Sequence, residues 1–185
     1  MDKADGLGGG EPSWLVNFLT VLSHYIPVFA YPLDPRNDRE SWSVDEALAA
    51  APPLPWSATS RNWWFQGFLG ELLDLFAGHD SLRYLLEDLA LVPADETFSR
   101  AQDIGRLLAA FRADPELFLK RGSSYISSPD QVAVELDQAQ VLRSLDDDSS
   151  SACSNFFSYL LSQAAALEEA AAENKALLYV RPMPD

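Results

Sequence analysis

The side chains best suited to chemistry are few. There are two histidines, His24 and His79, and a single cysteine, Cys153. A zinc site draws Cys and His ligands from short, regular spacings, and the chain has neither C-x-x-C nor H-x-x-x-H. No metal site is expected. A lone cysteine also forbids an intrachain disulfide, which fits a reducing, cytoplasmic setting.

Nucleophilic catalysis needs a nucleophile, a base and a group that orients the base. Serines are plentiful, but none stands in a G-x-S-x-G elbow. Carboxylate pairs are the next candidates for acid–base work. Glu71 and Asp74 in "GELLDLF" are three apart, on one side of a helix. Glu87–Asp88 and Asp95–Glu96 are adjacent pairs. Perturbing such an acid takes burial or a close charge, and in a chain this acidic the plain expectation is a solvated face. Asp146, Asp147 and Asp148 are consecutive, whereas a calcium loop alternates its ligands around a glycine turn. "GLGGGE" near the start lacks the third glycine of a dinucleotide loop and has no strand before it. No Walker loop is present, so no cofactor is expected, and the chain is read as non-enzymatic.

Charge narrows the partner. The 185 residues include 13 Lys and Arg against 28 Asp and Glu, a net charge of -15. That field repels phosphate backbones and anionic lipid surfaces, so nucleic acid and membrane are disfavoured. A basic protein partner would be attracted and its encounter accelerated. Solubility alone would also account for the charge.

These residues must be held by a fold. Hydrophobic residues make up 48%, enough for a core. Residues 1–11 read as a flexible tail and 12–185 as a single helical domain of six to eight helices, a mainly α fold. The uncharged stretch from Pro12 to Leu33 is long enough to raise the question of a membrane span. Its residues 14–25 are instead amphipathic, with Ser13 as cap, and Pro27 and Pro32 break the apolar run beyond them. Residues 26–33 are an extended segment whose natural mate is "ALLYV", 176–180; together they make at most a small two-stranded element.

Further helices are expected from their end signals. Ser43 and Glu46 form a capping box. A helix over 61–77 has Ser60 as cap and Gly78 beyond its end. Asp80 caps a helix with the stripe Leu82, Leu85, Leu86 and Leu89. A helix near 95–112 buries Phe98, Ala101, Ile104, Leu108 and Phe111. "DPELFLKRG" is capped by Asp114 and stopped by Gly122, and its Lys120 and Arg121 suit the helix dipole. Residues 128–145 start with Ser128–Pro129 as a helix, although "VAVEL" at 132–136 alternates like a strand. The last helix spans 153–174, with Phe156, Leu160, Ala164, Leu167 and Ala171 in line.

One helix stands apart. In "RNWWFQGFLGELLDLF", 61–76, the apolar residues fill half the cylinder at 100° per residue. Trp63, Gly67, Gly70 and Asp74 line up on the other half, at i, i+4, i+7 and i+11, with Glu71 beside them. An interior glycine costs a helix about 1 kcal/mol relative to alanine. Two on one line leave a shallow trough walled by Trp63. Either the protein's own chain fills it, or a partner does, with Trp63 as an anchor and Glu71 and Asp74 selecting a basic partner. The functional expectation is an acidic protein-binding module, for example an inhibitor or immunity protein that neutralises a basic toxin such as a nuclease. A structural or adaptor subunit of a larger complex is the first alternative. An enzyme or effector with an unrecognised site, built on His24 or His79, is the second.

Overall fold

A computed structural model describes residues 25–33, 49, 59–87, 89–122, 126–141 and 152–180; side chains are described for 49, 67–87, 89–122, 126–141 and 156–179. In chain order the elements are strand β1 (Tyr25–Leu33), strand β2 (Thr59–Asn62), helix α1 (Trp63–Leu75), a 3-10 helix (Asp80–Leu86) and strand β3 (Leu89–Val92). Next come helices α2 (Thr97–Ala113), α3 (Pro115–Gly122), α4 (Pro129–Gln138) and α5 (Ala152–Ala172), and strand β4 (Ala176–Val180) is last. The chain is mainly helical, as its periodicity implies. The tail at 1–11, residues 14–24 of the helix expected at 14–25, the capping box at 43–46 and the aspartates at 146–148 lie outside the described residues, and Tyr25 begins β1 instead of ending a helix.

The pairing expected between 26–33 and 176–180 is present: Phe29 to Leu33 run antiparallel to Val180 to Ala176. The sheet is wider than a two-stranded element, with the order β2-β1-β4-β3. Proline cannot donate to a ladder and is normally confined to edges. β1 nevertheless carries Pro27 and Pro32 inside that order. The register shows how: Tyr25–Val28 pairs only with β2, and Phe29–Leu33 only with β4. Each half behaves as an edge strand, leaving one side free for the missing N–H.

Two boundaries differ from the sequence expectation for one reason. Leu82, Leu85, Leu86 and Leu89 are spaced for a single helix. The chain forms only a 3-10 helix through Leu86, and Leu89 begins β3 against Val180. Pairing with β4 supplies backbone partners that outweigh local helix preference. Asp80 is not the cap; His79 holds that place and makes no side-chain capping bond. Likewise Ser60 does not cap α1 but lies in β2 opposite Pro27. After α1, Gly78 takes the left-handed backbone, φ 92°.

Other ends match their signals. The Asp114 carboxylate accepts from the Leu117 backbone N–H at 2.9 Å, capping α3. Ser128 and Pro129 start α4, so residues 131–137 are helical. Past α5, Asn174 sits at φ 52°, with Asn174 N–H donating to Ala171 O and Lys175 N–H to Ala170 O. This is a Schellman closure, and it turns the chain into β4.

The centre of the core is α5. Phe156, Phe157, Ser158, Tyr159 and Leu160 are all buried, and further along so are Ser162, Gln163, Ala166, Leu167 and Ala170. The stretch 156–163 is enclosed on nearly every side, as expected of a helix inside a core, while Glu168 and Ala172 further along are exposed. Its polar groups are satisfied locally: Ser162 Oγ donates to Ser158 O at 2.8 Å, and Ser158 Oγ accepts from Gln140 N–H at 3.2 Å. Aromatic rings from neighbouring helices close around it. Phe118 meets Phe68, Phe111 and Phe157 with centroids 5.6, 5.0 and 5.5 Å away. Such pairs add about 0.5–1.5 kcal/mol each beyond area burial.

On α2 the buried line is Thr97, Ala101, Ile104, Leu107 and Phe111. Phe98, expected in that line, is 58% exposed, and Leu108 is half-buried behind Leu107. Ala101, Ile104 and Phe111 are buried as expected; Thr97 and Leu107 take the places expected of Phe98 and Leu108, and the Thr97 hydroxyl is satisfied by donating from Oγ1 to Ala94 O at 2.8 Å.

Candidate functional site

The face singled out by sequence lies on α1. Leu69, Leu72, Leu73 and Phe76 are buried and Phe68 and Leu75 half-buried, so the wide apolar side of the helix faces the core. On the opposite side Gly67, Glu71 and Asp74 are exposed and Gly70 is half-buried. Trp63 starts the helix; its side chain lies outside the described residues.

The two glycines are not equivalent. Among the described residues, a Cβ placed on Gly67 would meet no atom within 4 Å, whereas one on Gly70 would sit 3.7 Å from Leu86 Cδ1. Among the described residues nothing covers the trough at its Gly67 end. At its Gly70 end the 3-10 helix forms one wall, at ordinary van der Waals distance.

The carboxylates at this face are already engaged. Asp74 Oδ1 accepts from Arg83 Nη2 at 2.6 Å, and the same guanidinium donates from Nε to Asp80 Oδ1 at 3.0 Å. Glu71 Oε2 is 3.5 Å from Arg121 Nε. Arg121 therefore bridges two helices in addition to serving the end of its own. All these groups are substantially exposed, with side chains 45–79% accessible. Exposed pairs of this kind are screened by salt and contribute little to stability. The Asp74 and Asp80 pair shares one guanidinium, which leaves a surplus negative charge beside the trough. Sequence reasoning found the acids but not their arginines; the Asp80–Arg83 spacing of three was the available signal, while Arg121 is brought in only by the packing of α3.

The other chemical candidates are dispersed. His79 is half-buried at the start of the 3-10 helix. Ser81 Oγ donates directly to Asp103 Oδ2 at 2.6 Å, with no imidazole between them. Asp103 also pairs with Arg106, and Arg100 Nη1 donates to Ser81 O at 2.9 Å. These bonds fasten the 3-10 helix to α2. Glu96 pairs with Arg100 within α2, and Asp95 and Glu87 are exposed; Asp88 lies outside the described residues. Among the described residues these pairs are not brought together into one constellation. Among the described residues no group of three His, Cys, Asp or Glu could hold a metal ion.

One buried polar contact stands elsewhere. The hydroxyls of Tyr84 and Tyr179 are enclosed where the 3-10 helix meets β4, with ring centroids 5.5 Å apart. They lie close enough to influence each other, yet neither reaches the geometry of a full hydrogen bond. Burial pushes both phenols well above the ordinary tyrosine range. Tyr84 as a whole is half-buried.

Compared with known proteins, the chain matches no family model, no curated protein and no solved structure. No described helix is long and apolar enough to cross a membrane.

Proposed function

We propose that the protein is a non-enzymatic binding module for a basic protein partner, acting in the cytoplasm as an inhibitor of the immunity-protein kind that neutralises a basic toxin such as a nuclease. The observation that carries this reading is where the charge is displayed. The buried polar side chains among the described residues are Thr97, Ser158, Ser162 and Gln163, with no carboxylate among them. The described carboxylates therefore all keep some contact with solvent, where they attract and orient a cationic surface. The open end of the α1 trough at Gly67 supports docking there, because a partner's side chain can approach the backbone. Mimicry of the charge of nucleic acid is the physical means by which a nuclease would be occupied.

The test is co-purification from the native host. A cationic protein retained at low salt and released at high salt is the expected result. Retention of no cationic protein at low salt would overturn the proposal.

One observation favours a second reading, a structural or adaptor subunit. Arg83 and Arg121 already answer Asp74 and Glu71, which lessens the charge available at the trough. A neighbouring helix would then dock mainly by packing, and its binding would survive high salt.

A further inference from the structure

We draw no further inference here: the strongest candidate, the outer face of α2 where Phe98 stands 58% exposed, is a surface patch with a single large apolar side chain and nothing in the structure shows what covers it.

Discussion

Arg83 reaches back nine residues to Asp74, Nη2 to Oδ1 at 2.6 Å, and so ties the last turn of α1 to the 3-10 helix. The contact sits at one end of the proposed docking face. A cation arriving at Asp74 must compete with one the chain already supplies. Arg83→Gln keeps the length and polarity and removes the charge. Retention of a cationic partner at low salt is expected to strengthen in this variant, with a minor change in thermal stability. Weaker retention would mean that Arg83 belongs to the docking surface itself.

Two glycines separate helix propensity from packing. Gly67→Ala places a methyl where no atom of the described residues lies within 4 Å. It should stabilise the protein by about 1 kcal/mol in chemical denaturation, the usual preference of alanine over glycine in a helix. Gly122→Ala places its methyl 2.7 Å from Phe118 Cε1, inside the aromatic core. Overpacking of that kind costs about 1–3 kcal/mol. Equal effects at the two sites would contradict the placement of α3 against its own Phe118 ring.

Phe98 and Phe111 lie on one helix and are expected to behave differently. Phe111 is fully buried, with Phe76 and Phe118 rings each at 5.0 Å. Phe111→Ala should cost about 3–5 kcal/mol and Phe98→Ala less than about 1 kcal/mol. Thermal unfolding of the two variants measures the difference.

Alkaline pH should weaken the fold through the paired tyrosines. Burial raises the pKa of Tyr84 and Tyr179 in the folded state, so the unfolded chain loses those protons first. Their contribution is fully present below the unfolded value of about 10 and is lost as pH rises above it toward the folded values. Tyr179→Phe should flatten the loss between about pH 10 and 12, and it removes one hydroxyl that lacks a proper partner. Stability measured against pH in both proteins checks this; identical alkaline slopes would contradict it.

Much of the fold is legible where one local signal decides the outcome. Asp114 with Pro115, and Ser128 with Pro129, stand at helix starts in the structure as their residue types imply; the Asp114 carboxylate makes a capping bond between near neighbours, while Ser128 makes none and Pro129 supplies the preset first turn. The pairing of β1 with β4 was legible from composition and the scarcity of mates. Elements decided at long range were not legible. "TSRN" in β2 carries little strand signal and is recruited by Tyr25–Val28. "LALV" in β3 continues a leucine period and is claimed by β4 instead.

The candidate site divides in the same way. Helical spacing was enough to put Gly67, Glu71 and Asp74 on the exposed side of α1. Leu86 beside Gly70, and Arg121 beside Glu71, depend on how separate helices pack. The stripe Phe156, Leu160, Ala164, Leu167 and Ala171 implies one buried face of α5; that Ser158 and Ser162 are buried as well depends on their bonds to Gln140 N–H and Ser158 O.

The most direct test compares the wild-type protein with Gly67→Arg as baits in the native host's extract. Arginine at this open, exposed position leaves the core untouched and sets a bulky cation in the trough. The account predicts that wild type holds a cationic protein at low salt, that high salt releases it, and that Gly67→Arg holds far less. Equal capture by both baits, or capture of no cationic protein by either, would contradict it.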